Sequence, residues 1–296
     1  MSLLTPERVP VKVYRWDDAD APQLDKTAGC MTTIFKACLI TGYGTKESAG
    51  WTMPFEDIAA GIKVMRPEVG PHTDFYLRLS ADTGTEMAAQ VYLNMTDANT
   101  GDLKLQCATE FCYAKRNSTG KWLMIASPRS VWFFSDQRFN DGPTTKTGAF
   151  FYAGDIRNPL DTDDAVYLQH SGGTFKDGAG SDIFGRNIDN IIDKAASKYL
   201  PAKVLIGLDT VITTDVTSTA NLLPTKTTTA HLAPLFAVVD GALYLLPGAY
   251  APLSEATANN FDVTAVSTGF VSNMIVHGTG GRNSSNLYID TDAWSY

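Results

Sequence analysis

Histidine is the side chain best suited to acid–base chemistry near neutral pH, because imidazole titrates there. The chain has four, widely separated along the sequence: His72, His170, His231 and His277. None lies in the spacing of a serine-hydrolase elbow or of a zinc-protease helix. A Ser/His/Asp triad can be assembled from distant positions in almost any chain, so that combination alone carries no weight. We predict no catalytic histidine and no enzymatic activity.

Aspartates cluster at three places that could bind a metal ion or supply paired acids. They are Asp17, Asp18 and Asp20, then Asp161, Asp163 and Asp164, and finally Asp290 and Asp292. A calcium-binding EF-hand loop starting at Asp161 would need glycine and glutamate where Val166 and Gly172 stand. The paired acids of glycoside hydrolases come from separate strands, so adjacency does not identify them. We interpret all three clusters as solvated acidic turns and predict no metal site.

Glycine and cysteine patterns also give no cofactor site. The glycine-rich segments 172–173 and 278–282 lack the lysine of a phosphate-binding loop, although Arg282 is a cation that could contact an anion. Cys30 and Cys38 are eight residues apart, and Cys107 and Cys112 are five apart. Neither spacing is that of a zinc knuckle. We predict buried, reduced thiols, but the sequence leaves their pairing open.

Composition excludes several other classes of protein. The formal charge of the 296-residue chain is −8, and its densest basic pair is Lys115-Arg116. Nucleic-acid binders usually carry a basic face, so no direct contact with nucleic acid is expected. No apolar run reaches the roughly 18–20 residues that span a bilayer, and no signal peptide is visible. We therefore expect no membrane insertion.

Hydrophobic periodicity predicts two short helices among many strands. Met31, Ile34, Phe35, Cys38 and Leu39 have helical spacing, which predicts a helix over 28–39 capped by Asp25 or Thr27. A second helix is predicted over 188–200, limited by Pro201. Period-two patterns predict most other elements, including hairpins around 127–130 and 240–241.

These elements predict a mainly β (α+β) fold with a β-sandwich-like core and mostly antiparallel strands. We place a soft boundary between an N-terminal β-rich domain, 1–155, and a C-terminal one, 156–296, although one domain is an alternative. Residues 1–16 form an extended arm or edge strand that could contact a neighbouring subunit. Deleting them should then reduce assembly without unfolding the domain.

Aromatic residues are concentrated in a few segments and should mostly lie in the core. They are Trp51, Trp122, Trp132, Phe133, Phe134, Phe150, Phe151 and Tyr152. Aromatic side chains that alternate along an exposed strand can also bind sugars. Contact with host glycans is therefore an alternative role for them.

Short strings along almost the whole chain form a specific pattern. They are 11–15, 20–22, 37–39, 42–46, 50–51, 75–78, 95–101, 151–155, 246–253 and 289–294, together with Arg66 and Trp122. This pattern resembles a family of virion structural proteins of tailed bacteriophages and prophages. The chain departs from the family at 103–105 and at 243–244.

The resemblance implies a non-enzymatic component of the virion, assembled in the bacterial cytoplasm. A homo-oligomeric tail, neck (collar) or baseplate protein is the first expectation, and a capsid decoration or head-surface protein is the second. A receptor- or glycan-binding tail protein is the alternative of another class. The expected partners are further copies of the chain and neighbouring virion proteins.

Overall fold

The computed structural model describes residues 7–68, 74–107, 111–112, 114, 119–135, 149–158, 164–170, 175–177, 182–183, 189–193, 198–206, 232–239, 242–252, 263–265, 273–279 and 285–296. Within these ranges the fold is mainly β, with antiparallel strands and one short α-helix. The predicted fold class is confirmed. No helix among these residues is long and apolar enough to cross a membrane.

Helix α1 (Cys30–Lys36) continues into a π-helical turn at Ala37–Thr41, which confirms the first predicted helix. The predicted cap is wrong. Gly29, with φ 86°, precedes the helix, and the carboxylate of Asp82 accepts a hydrogen bond from the Thr32 N–H at 2.8 Å. Asp25 instead accepts hydrogen bonds from Thr27. A side chain distant in sequence therefore satisfies the orphan donor at this helix end.

Twelve strands form the larger sheet, in the order β19-β20-β21-β18-β17-β16-β15-β12-β11-β10-β9-β2. In chain order they are β2 (Lys12–Arg15), β9 (Trp122–Ala126), β10 (Ser130–Ser135), β11 (Ala149–Arg157), β12 (Asp164–His170), β15 (Asp189–Asp193), β16 (Lys198–Ile206), β17 (Leu232–Val239), β18 (Ala242–Pro252), β19 (Val263–Ala265), β20 (Asn273–Thr279) and β21 (Ser285–Asp290). Both predicted hairpins are confirmed, as β9–β10 and β17–β18.

The smaller sheet has the order β14-β13-β7-β6-β5-β4-β3, with β8 also paired to β6. Its strands are β3 (Thr52–Asp57), β4 (Ile62–Arg66), β5 (Tyr76–Ser80), β6 (Glu86–Met95), β7 (Gly101–Cys107), β8 (Phe111–Cys112), β13 (Phe175–Asp177) and β14 (Asp182–Ile183). A separate pair joins the two ends of the described chain, β1 (Arg8–Pro10) and β22 (Ala293–Ser295).

The second predicted helix is wrong, because this region forms the antiparallel hairpin β15–β16. Ile191 lies opposite Leu200, and β15 also pairs with β12. A short apolar run fits both a helical and an extended pattern, and β-branched isoleucine favours the strand. The available partner strand decides between them, and it comes from a distant part of the sequence.

One core lies between the two sheets and around α1. Phe35 of the helix contacts Phe133 and Phe151 of the larger sheet, each with ring centroids 5.7 Å apart. Trp51 meets Phe75 edge-to-face at 5.9 Å. The aromatic residues predicted to be core are buried, apart from Phe150, whose side chain lies outside the described residues. Aromatic burial of this size is the main stabilising contribution to the sandwich.

The described part of the predicted arm, from Glu7 to Trp16, contains two paired strands, β1 and β2; β2 is an edge strand, as one of the two interpretations had it, and is not detached. Strand β2 pairs with β9, and the side chain of Tyr14 is fully buried with its hydroxyl donating to the Glu47 carbonyl at 2.8 Å. The other side of β2 is covered, because Lys46 donates to the Val13 carbonyl at 3.0 Å. The proposed domain boundary at 155/156 falls inside strand β11.

We expect Tyr14→Ala to lower the free energy of unfolding by about 3–5 kcal/mol, because it removes a buried aromatic ring from the core. Lys12→Ala, two residues earlier on the same strand, removes an exposed ion pair with Glu47 and an exposed hydrogen bond to the Ser48 carbonyl, and should cost about 1 kcal/mol. Urea unfolding followed by circular dichroism measures both. Equal, small losses would show that β2 contributes little to the fold.

Candidate functional site

The side chains of all four histidines and of the second acidic cluster, Asp161, Asp163 and Asp164, fall outside the part of the chain that the structure describes. His170 lies in β12 and His277 in β20, whereas His72 and His231 lie outside the described ranges. Cys30 and Cys38 are buried thiols, as predicted, and burial raises the pKa of Cys38. The side chains of Cys107 and Cys112 are not described, so their pairing stays open. Among the described residues, no group of three His, Cys, Asp or Glu side chains could hold a metal ion.

The first acidic cluster is a turn, as predicted, but Asp18 is not a solvated residue of it. Its carboxylate accepts hydrogen bonds from the Arg15 N–H and the Tyr43 hydroxyl, both at 2.8 Å. Lys46 forms an ion pair with it at 3.3 Å. Asp17 is exposed, and a hydrogen bond from Arg15 lowers its pKa. Asp18 therefore ties the turn after β2 to the loop after the helix.

The two ends of the described chain meet in a buried polar network, which we call the chain-end junction. It comprises β1, β22 with Tyr296, the 127–130 turn, and residues 152–155. The Tyr296 hydroxyl lies 2.6 Å from the Ser127 hydroxyl, and the Tyr152 hydroxyl donates to Ser130 at 3.1 Å and to the Asp155 carbonyl at 2.7 Å. Burial raises the pKa of both tyrosines, so both hydroxyls stay protonated.

Arg129 lies on the outer side of the junction. Its guanidinium donates to the Glu7 carboxylate at 2.9 Å and lies over the Tyr296 ring, 5.2 Å from the centroid. Glu7 and Tyr296 also exchange two backbone hydrogen bonds of 3.0 Å. An arginine stacked on an aromatic face and paired with a carboxylate holds both strand ends in place.

Trp294 lies directly on Gly248, and this contact fixes the C-terminal strand. A Cβ atom added at Gly248 would overlap the indole, and the φ of +69° also favours glycine there. The indole N–H of Trp294 donates to the Asp290 carbonyl at 2.9 Å, and that of Trp132 donates to the Pro247 carbonyl at 3.0 Å. Pro247 and Gly248 thus contact two tryptophans, Trp132 and Trp294.

The interpretation of 290–292 as a solvated turn is wrong for Asp290, because its side chain is only 1% exposed. One carboxylate oxygen accepts from the Asp292 N–H at 2.8 Å, and the other lies 3.7 Å from Arg8 without a hydrogen bond among the described residues. Burial raises the pKa of this carboxyl, more than Arg8 and the backbone donors lower it. Asp292 is exposed, as predicted.

The junction combines buried hydroxyl groups with the buried side chain of Asp155. A catalytic nucleophile needs an adjacent base that can take its proton. Here the described hydroxyls of Ser127, Ser130, Tyr152 and Tyr296 face one another or backbone groups. Interior networks of this kind rigidify a fold and specify one arrangement of its strands.

Other strings of the sequence pattern also contact one another in space. Arg78 donates to the Ala98 carbonyl at 2.9 Å and to the Asn99 side chain at 3.1 Å, so it holds the loop between β6 and β7. Asp97 closes that loop by accepting from the N–H groups of Asn99 and Thr100. Two pairs of strings, 246–253 with 289–294 and 75–78 with 95–101, therefore contact each other, and each contact holds one loop or strand end.

An open groove of about 840 Å³ lies on the outer side of the smaller sheet. We call it the outer groove. One wall comes from edge strand β3 and the turn after it, and the other from the β6–β7 loop. Its lining residues are Pro54, Phe55, Glu56, Asp57, Ile58, Asp97, Ala98, Asn99 and Thr100. No sequence motif marked this groove, because its two walls are some forty residues apart and neither contains a recognised chemical pattern.

Comparisons of the chain with protein-family models, with curated proteins and with solved structures find no match. What the protein does must therefore be argued from the described residues and from the sequence pattern. Those residues give a β scaffold in which β1 and β22 are paired and an open groove lies on the smaller sheet.

Gly248→Ala should lower the free energy of unfolding by more than about 3 kcal/mol, because it adds overlap with Trp294 to the strain of a positive φ. Gly61→Ala is the matched control: its φ is +65°, but nothing lies within 4 Å of the added Cβ. That change should cost only about 1–2 kcal/mol. Urea unfolding of both variants tests the packing of Trp294 against Gly248, and equal losses of unfolding free energy would argue against its importance.

Asp290 should give the stability of the protein a distinctive pH dependence. A carboxyl with a raised pKa binds a proton more readily in the folded state, so stability falls as pH rises from 3.8 through the raised value. Wild type should therefore gain stability relative to Asp290→Asn as pH falls from about 7 to about 4. Asp17→Asn should show the opposite trend below about pH 4, because the pKa of Asp17 is lowered from 3.8 and its stabilisation is lost only as pH falls through that lower range. Urea midpoints from about pH 7 to about pH 2 measure both, and parallel curves for Asp290→Asn would contradict the burial effect.

Proposed function

We propose that this protein is a non-enzymatic structural component of a bacteriophage particle, in the tail, neck or baseplate, where it assembles as a homo-oligomer. One observation carries the proposal: two pairs of the strings that resemble the virion family meet in space as contacts that hold a strand end or a loop. Trp294 on Gly248 and Arg78 on the 96–100 loop are two such contacts. A resemblance carried by fold-determining residues supports a shared scaffold.

The described polar clusters agree with a scaffold role. Asp18 and the hydroxyls of the chain-end junction are occupied in holding loops and strand ends together. A subunit of a particle carries load across its strands, and the pairing of β1 with β22 resists separation of these two described strands. Identical subunits in a ring bury their interfaces by symmetry, which suits a rigid protomer.

A capsid decoration protein on the head surface is the second structural role that we propose. The residues first considered for glycan binding do not support a glycan-binding tail protein, because Trp51, Trp122 and Trp132 are buried. Those side chains stack in the core and present no ring face to a sugar. The structural role is therefore the better supported of the two classes.

Cryo-EM of intact particles, combined with mass spectrometry of the purified particles, tests this proposal. We expect the chain to copurify with particles in many copies and to occupy symmetric density in the tail, neck or baseplate. Mass photometry of the purified protein should show a closed oligomer larger than the monomer. A chain that is abundant in the lysate but absent from purified particles would refute the proposal, and binding to empty capsids would favour the head surface.

A further inference from the structure

We propose that the outer groove binds a lysine- or arginine-containing, partly apolar segment of a neighbouring protein. This inference rests on the proposed function for the identity of the neighbour, but the groove's preference for such a segment can be measured on the purified protein alone. Four observations support it. They are the exposed apolar turn after β3, the aromatic floor of the groove, two carboxylates without an ion pair among the described residues, and a strand edge that a proline and a register shift keep from pairing.

The apolar tip is the turn between β3 and β4. Ile58 is 85% exposed, and Ala59 and Ala60 beside it are exposed as well. Turn tips are usually polar, since an exposed isoleucine gains nothing from burial in the folded monomer. This turn is well formed, because Asp57 accepts from the Ala60 N–H at 3.0 Å and Gly61 adopts a φ of +65°. The tip therefore presents Ile58 in a fixed position beside the groove.

The floor of the groove continues the apolar surface. Phe55 lines it and stacks on Tyr76, with ring centroids 6.3 Å apart and planes at 26°. Arg66 lies over the Tyr76 ring at 4.9 Å from its centroid and pairs with Asp74. Ala98 comes from the opposite wall. This floor offers an apolar contact that is rigid before any partner arrives, which lowers the entropic cost of binding.

The charge of the groove selects the kind of partner. Asp57 and Asp97 form no ion pair with any residue that the structure describes, whereas Glu56 is paired with Lys36 and Lys63. Hydrogen bonds from Asn99 and Thr100 lower the pKa of Asp97, so its carboxylate stays charged well into the acid range. No lysine or arginine is among the lining residues, and the nearby Arg78 guanidinium is bound to the Ala98 carbonyl and the Asn99 side chain. Two carboxylates around an apolar floor complement a cationic side chain next to an apolar one.

The strand edge limits how a partner can bind. Pro54 lies within edge strand β3, and the register between Thr52 and Phe55 is irregular. Proline and bulges are devices that prevent a strand from pairing with another chain. The partner is therefore held by side-chain contacts in the groove and not by extension of the sheet. The same groove of a second copy is not such a partner, because it is lined by carboxylates and not by cationic side chains.

The test selects from a random twelve-residue peptide library on the purified wild-type protein, with depletion on an Ile58→Ser/Asp97→Asn variant. We expect enriched peptides to combine lysine or arginine with a neighbouring large apolar residue. Their affinity, measured by fluorescence anisotropy, should fall roughly tenfold or more in Ile58→Ser, because a buried isoleucine contact is lost. Asp97→Asn should weaken binding by a smaller factor and reduce its dependence on salt.

Two matched variants serve as controls. Ile58→Leu keeps an apolar side chain at the tip and should retain affinity within about threefold. Asp17→Asn removes an exposed charge in the turn after β2 and should leave binding unchanged. Thermal unfolding of every variant checks that the fold is intact.

Several outcomes would overturn the inference. They are no enrichment, enriched peptides without cationic residues, or equal binding by the Ile58→Ser variant. Dimerisation of the wild-type protein that is lost in that variant would assign the groove to a second copy. Binding of bacterial surface polysaccharides that Phe55→Ala abolishes would assign it to a glycan. Each result is independent of whether the chain is found in particles, so failure here leaves the proposed function to its own test.

Discussion

The packing of Trp294 against Gly248 is the contact on which the chain-end junction depends. Gly248 leaves the space that the indole fills, and the indole in turn bonds to the Asp290 carbonyl and holds β22 against β1. With β22 in place, Tyr296 reaches Ser127 in the β9–β10 turn. The N-terminal strand, the C-terminal strand and a central hairpin are thereby coupled through one glycine that has no side chain.

This coupling explains where the buried polar groups lie. Asp18, Tyr152, Tyr296 and Asp290 sit where segments distant in sequence must be joined, and each is charged or polar in a place where water is scarce. Burying such groups costs free energy unless hydrogen bonds compensate, so their partners are specified closely. They determine which loop meets which strand, whereas the aromatic core provides most of the stabilisation.

The outer groove lies on the side of the smaller sheet that faces away from this core. There the sheet carries a second, smaller cluster with Ile62, Val64, Tyr92 and Met95, and the β6–β7 loop folds over part of it. Arg78 fixes that loop from the sheet surface, which leaves the adjoining groove open and rigid. A rigid scaffold with an acidic, partly apolar groove is consistent with a protein whose role is to hold neighbours together.

The sequence alone determined the mainly β class, the helix at 30–36 and both hairpins, because period-two patterns, helical spacing and turn residues act locally. It also identified the aromatic core, since large rings are costly to expose. Only the tertiary structure decided that 189–206 is a hairpin, that Asp82 caps the helix and that Asp290 is buried. In each of these, the deciding neighbour lies far along the chain: β12 pairs with the hairpin, the Asp82 carboxylate accepts at the helix end, and Asp290 is buried beside Arg8. Local composition fixes what a segment can form, and long-range pairing fixes which of those forms it takes.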